Sequence, residues 1–165
     1  MSSKEKKFGI GCDIGGSHIS CGIVDLDQGL LLKDTLVSEK VDNTEAAAVI
    51  LDAWANAIDS CMDNLKDKTQ LRGIGFAIPG PFDYEKGIGL YDSSNQKFED
   101  LLNVNVRLAM AERLQLNPEL FQFTNDATAF ALGSNFFGSG KGVKRLVAIT
   151  LGTGFGSSFI NDGKA

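Results

Sequence analysis

Apolar and polar residues alternate with a period of two from Phe8 to Ile14 and again from His18 to Asp25. Each run ends on turn chemistry, Gly15-Gly16-Ser17 after the first and Asp27-Gln28-Gly29 after the second. With a third run from Leu30 to Val37, this pattern predicts an antiparallel meander. The period then lengthens. Val49, Ile50, Ala53, Trp54, Ala57, Ile58 and Cys61 recur at helical spacing, which predicts a helix capped by Asn43 or Thr44 and running to about Lys66. Arg72 to Ile78 is a short apolar run fed by that helix. It is expected as a buried parallel strand that stops at Pro79-Gly80-Pro81.

Asp83 to Gln96 is polar and punctuated by glycine, and reads as a long loop. A second helix is expected over roughly Phe98 to Leu114, with Val106, Leu108 and Ala109 among its apolar positions. A strand over Leu120 to Thr124 and a helix over Asp126 to Phe136 follow. Gly138 to Gly142 reads as a linker, and the last two runs, Arg145 to Leu151 and Phe155 to Ile160, as a hairpin. The order defines an α/β fold with helices packed on a mixed five-stranded sheet. The linker places a domain boundary near Val143, giving a lobe over residues 1–140 and the opening hairpin of a second over 141–165.

Composition narrows the possibilities. Hydrophobic residues make up 43% of the 165 positions and charged residues 22%, as expected of a folded globular chain. The net charge of −5 disfavours nucleic acid and anionic membrane as partners, while leaving room for a phosphorylated ligand held by backbone N–H groups. No run reaches membrane-spanning length and no signal-peptide pattern opens the chain, so a cytoplasmic location is expected. Cys12, Cys21 and Cys61 fit neither a zinc knuckle nor a disulfide framework and read as buried thiols. Phe121, Phe123, Phe130, Phe136 and Phe137 read as core packing, and Lys141, Lys144 and Arg145 as a solvated patch. His18 is read as an edge or solvent residue without a catalytic part. Small α/β proteins often pair, so a homodimer is an open possibility.

Three segments carry candidate chemistry. In Asp13-Ile14-Gly15-Gly16-Ser17 the two glycines let N–H groups approach an oxyanion, Ser17 adds a hydroxyl, and Asp13 suits Mg²⁺ held through water. An ordinary β-turn accounts for the same residues. Gly152-Thr153-Gly154-Phe155-Gly156 lacks the lysine of a P-loop and the helix of a dinucleotide fingerprint, which leaves a phosphate-wrapping hairpin turn or a plain one. Asn125-Asp126 stands at a strand-to-helix junction. It is either a helix cap or a site where Asp126 takes a proton from a substrate hydroxyl while Asn125 orients it. Asn95 and Pro79-Gly80 are candidates for the opposite wall of a polyol pocket.

Taken together, Asp13 to Ser17, Gly73 to Asp83, Asn125 to Ala129 and Leu151 to Gly156 resemble the ROK family of sugar kinases and sugar-responsive repressors, in the actin-like ATPase and hexokinase superfamily. The four segments occur in family order across nearly the whole chain. The resemblance implies a ribonuclease H-like, actin-type lobe that closes on ATP, Mg²⁺ and a hexose. It implies Asp126 as base, with Asn95, Asn125, Asp126 and Gly80 on the sugar side. Gly15, Gly16 and Ser17, with Gly152, Thr153 and Gly154, would lie on the phosphate side. Ser134 stands where many members have Glu, and Ser157-Ser158 where further glycines are usual. The family's zinc-binding cluster would fall beyond Ala165, so the 165 residues alone are expected to be inactive. A sugar-binding regulator is the alternative, although the residues before Phe8 are too few for a helix-turn-helix. A non-catalytic sugar-binding protein of the same fold is the third reading.

Overall fold

The computed structural model describes residues 6–95, 97–151 and 155–165. Strand β1 (Phe8–Ile14) pairs antiparallel with β2 (His18–Asp25), with Cys12 opposite Cys21. On its other side β1 runs parallel to β5 (Leu71–Ile78), which runs parallel to β8 (Phe121–Asn125). The expected third strand is broken. A 3-10 turn at Lys33–Thr35 splits it into β3 (Leu30–Leu31) and β4 (Val37–Lys40), which share the outer edge of β2. Thr35 causes the break: its hydroxyl donates to the Leu32 carbonyl at 2.6 Å and accepts the Ile23 N–H at 3.0 Å, so a side chain replaces a ladder bond. The sheet is therefore five positions wide and mixed, as the sequence predicts.

Strand periodicity sorts the two faces of this sheet. Ile10, Cys12, Ile14, Ile19, Cys21, Ile23, Ile74, Phe76, Ile78, Phe121 and Phe123 point to one side and are buried there. Helix α1 (Ala47–Met62) lies over them, beside α2 (Val106–Leu114). Trp54 of α1 is fully buried, edge-on to Phe98 with ring centroids 5.7 Å apart. The opposite face carries Gly9, Gly11, Gly22, Gly73 and Gly75 at the alternate positions. There, Leu31, Leu36 and Ala129 border a groove of about 420 Å³. The sequence expected β5 to be buried; it is buried on the α1 side only.

Several boundaries differ from expectation for local reasons. Asn43 and Thr44 do not cap α1, which begins at Ala47 without a side-chain cap. Asp42 takes both the N–H and the hydroxyl of Thr44 into a tight turn instead. The loop after Ile78 contains a small hairpin, β6 (Phe82–Asp83) with β7 (Ile88–Gly89). The second helix starts only at Val106, where the Asn105 side chain accepts the Leu108 N–H at 3.0 Å. Val49 and Leu108 face solvent rather than the core.

Helix α3 (Asp126–Phe137) follows β8 directly and carries the final hairpin, β9 (Arg145–Leu151) with β10 (Phe155–Asn161). Ala131, Ala148 and Ile160 form a small second core there. Helix α3 turns Ala127, Ala131 and Asn135 inward, so Phe130, Phe136 and Phe137 are exposed, against the expectation of core packing; Phe121 and Phe123 are buried as expected. Phe137 rests on Gly29, where its ring leaves no room for a Cβ and a φ of +64° independently favours glycine. Lys141, Lys144 and Arg145 are exposed. All three cysteines are buried free thiols.

Candidate functional site

Strands β1, β5 and β8 run in the same direction, so their C-terminal ends meet at one edge, the usual position of ligands in open α/β sheets. A cleft of about 590 Å³ opens there. Its floor is Ile14-Gly15-Gly16 from the β1–β2 turn, Pro79-Gly80 after β5, and Asn125-Asp126 at the end of β8. The other wall is Thr150-Leu151 and Phe155-Gly156-Ser157 from the last hairpin. Gly156 makes that wall possible, because an added Cβ would stand 3.0 Å from the Ala127 Cβ and closer still to the Thr150 hydroxyl. The Thr128 and Ser158 hydroxyls, 3.3 Å apart, join α3 to the same strand.

The β1–β2 turn is closed by the Gly15 N–H, which donates to the His18 carbonyl at 2.9 Å. The Gly16 and Ser17 N–H groups have no partner among the described residues. The Ser17 hydroxyl lies 3.2 Å from His18 Nδ1, on the exposed side of the turn. Asp13 is exposed but projects from the other face of β1, into the groove with Gly11, Ser20, Gly75 and Thr124, so it does not line the cleft.

The Asn125-Asp126 corner satisfies both readings of its residues. Asn125 Oδ1 accepts the Ala127 and Thr128 N–H groups at 3.0 and 3.3 Å, as a helix cap does. Its Nδ2 donates to the Tyr84 hydroxyl at 3.3 Å, which donates to the Ile78 carbonyl at 3.2 Å. The amide oxygen is thus fully used, and one Nδ2 hydrogen is left to face the cleft. Asp126 is exposed at the first turn of α3, where the helix dipole favours negative charge. Its Oδ1 accepts the Ala127 N–H at 2.8 Å, and its Oδ2 makes no bond among the described residues. Burial pushes the Tyr84 phenol above its ordinary value, the bond from Asn125 opposes this, and the Asp126 carboxylate pushes the same way as burial. Tyr84 is therefore a neutral hydroxyl strut beneath the acid. Tyr91 pins the bend before Gly80, donating from its buried hydroxyl to the Pro79 carbonyl at 2.6 Å.

Asn95 is not on the cleft lining. It closes a tight turn, its Oδ1 accepting the Asp92 N–H at 2.8 Å. Gly152, Thr153 and Gly154 lie outside the described residues. The sequence reading missed Lys97, which does line the cleft, and Asn43, whose Nδ2 donates to the Gly16 carbonyl. Lys97 stands two positions after Asn95 in a polar stretch, and its charge was the only local signal. Among the described residues no cluster of three or more His, Cys, Asp or Glu could hold a metal ion, and no helix is long and apolar enough to cross a membrane.

A glycine turn and a carboxylate facing one cleft at the strand ends of this sheet define a lobe of the actin-type ATPase and hexokinase class. The ROK family model matches residues 9–165, and the chain belongs to that family. It is 32% identical over 154 residues to the glucokinase of Thermotoga maritima, covering 93% of this chain and 44% of that protein. Its fold is similar to the inorganic polyphosphate/ATP-glucomannokinase of Arthrobacter sp. strain KM, with a TM-score of 0.77 and 30% identity over 96% of this chain and 60% of the other. It is also similar to a ROK family glucokinase from Streptomyces griseus in complex with glucose and AMPPNP, with a TM-score of 0.74 and 29% identity over 95% and 45% of the two chains. The chain spans about half the length of the curated relatives it matches.

Proposed function

We propose that this chain is the amino-terminal lobe of a sugar kinase that moves the terminal phosphoryl group of ATP to a hexose hydroxyl, the 6-hydroxyl of glucose in the simplest case. The observation that carries this reading is that the Gly15-Gly16 turn and Asp126 line one cleft. Glucokinases among the relatives support the substrate class. The separate two-stranded sheet of β9 and β10, with an outer face of exposed Val147, Ile149, Leu151, Phe155 and Phe159, supports reading residues 141–165 as the start of a second lobe.

Asp126 Oδ2 is the proton acceptor. The Ala127 N–H fixes the carboxylate through Oδ1, so the free oxygen is presented to a hydroxyl without searching rotamers. The remaining Nδ2 hydrogen of Asn125 orients that hydroxyl or its neighbour, and Gly80 gives a bare backbone for close approach. On the phosphate side the partnerless Gly16 and Ser17 N–H groups are suited to oxyanions. A Cβ at Gly16 would stand 3.2 Å from Asn43 Nδ2, so any larger residue there would have to displace the Asn43 side chain. Asp13 opens on the neighbouring groove and not on the cleft, so its carboxylate would act on Mg²⁺ only through bridging water. Gly152, Thr153 and Gly154 would complete the phosphate edge. When bound, Mg-ATP supplies the phosphoryl group and the metal neutralises its charge.

Asp126→Asn in the full-length protein tests this. The carboxamide keeps the shape but cannot take the proton, so kcat should fall by about 10²–10⁴-fold, the usual contribution of a general base. Glucose affinity, measured by calorimetry, should change little. Undiminished turnover in the variant would remove Asp126 from the mechanism.

A further inference from the structure

We infer that Lys97 binds an anionic phosphoryl group in this cleft, next to the Gly15-Gly16 turn; the identity of the donor, though not the binding itself, rests on the kinase reading above. Among the described residues lining the cleft Lys97 is the sole cation and Asp126 the sole anion. Lys97 is partly exposed, and among the described residues it makes no salt bridge, although Glu99 and Asp100 line the adjoining recess with it. As the cation on the described cleft wall, it is the side chain there suited to meet an anion from outside.

Its position is set by Asn43. The Phe98 N–H donates to the Asn43 carbonyl at 2.9 Å, and the Asn43 side chain donates to the Gly16 carbonyl. Phe98 is fully buried against Trp54, so the residue that follows Lys97 is anchored in the core. One asparagine thus joins the backbone beside Lys97 to the glycine turn. Asn43 and Lys97 also line, with Thr44, Glu99 and Asp100, a recess of about 190 Å³; its two carboxylates disfavour an anion there, so an anion would meet Lys97 from the cleft side. The ammonium and the partnerless Gly16 and Ser17 N–H groups are complementary to the same kind of ligand, a compact multiply charged oxyanion. Asp126 repels such a group, which keeps the phosphoryl on the glycine side and leaves the carboxylate to the hydroxyl.

The phosphoryl group could belong to a donor chain or to a sugar phosphate, and binding measurements separate these. Calorimetry on the full-length protein with tripolyphosphate, ADP, glucose 6-phosphate and glucose would compare wild type with Lys97→Met and Lys97→Arg. Loss of one charge-assisted bond predicts about a tenfold weaker phosphate ligand for Lys97→Met, with affinity restored in Lys97→Arg. Affinity for uncharged glucose should be unchanged, which a folding defect would not allow. Weakening confined to tripolyphosphate, with or without ADP, puts Lys97 on the donor; weakening confined to glucose 6-phosphate puts it on the transferred group. Wild type and Lys97→Met binding all the phosphate ligands alike, or wild type binding none of them, overturns the assignment. Failure to phosphorylate any sugar would sink the kinase reading while leaving this result intact.

Discussion

Asn125 has more structural work than its neighbour. It caps α3, bonds Tyr84 and so fixes the corner from which Asp126 projects. Asn125→Ala should cost about 1 kcal/mol of stability, the usual value of a lost cap, read as a lower urea midpoint. Asn125→Asp keeps the capping oxygen and should recover most of that loss, while its missing Nδ2 releases Tyr84. The residues legible in the sequence were those whose neighbours announce them: Gly15-Gly16 at a strand end, Gly80 between prolines, Asn125-Asp126 at a strand-to-helix junction. Lys97 and Asn43 were not legible, because their meaning depends on a hydrogen bond between positions 98 and 43, and on another between 43 and 16. Asn95 shows the converse: an amide that looks available in the sequence is spent on closing its own turn.

Periodicity located every long element and misjudged their ends and outer edges. Val49 and Leu108 fit the apolar spacing of α1 and α2, yet each is on the rim of its face and no neighbouring element reaches it. The break at Lys33–Thr35 was hidden because Thr35 is a good strand former whose hydroxyl here serves the backbone instead. Glycines too divide by role once their surroundings are known. A Cβ at Gly89 would collide with the Leu101 backbone carbonyl, whereas Gly11 and Gly75 have open space. Gly89→Ala should therefore destabilise the chain by about 1–3 kcal/mol, as overpacking does, and loosen the segment that carries Asn95 and Lys97. Gly11→Ala and Gly75→Ala should be neutral or slightly stabilising in thermal melts of the same 165-residue chain, since a strand gains from losing a glycine. Equal losses at all three positions would contradict this packing.

At the scale of the molecule the fold is lopsided. One sheet face is sealed by α1 and α2 around Trp54, and the three thiols lie on that sealed side or in the helix over it. Burial, first, and then the Cys21 thiol 3.5 Å away raise Cys12 well above its ordinary value. Burial likewise, with Cys21 adding to it, pushes Cys61 from 9.0 to about 11. The fold thus favours the protonated form. The stability that this contributes is intact below about pH 9 and is lost as pH rises towards 11, which denaturant midpoints across that range would register. A second consequence concerns time. The buried position of the three sulfurs keeps an alkylating reagent out while the lobe is shut, and Cys12 and Cys61 are in addition held protonated. The rate of modification near neutral pH should therefore rise with the share of time the α1 side spends apart, reported by three internal clocks and needing no added label. Ligands that grip the cleft should slow those clocks together, and one cysteine running ahead of the others would show that the lobe opens in pieces.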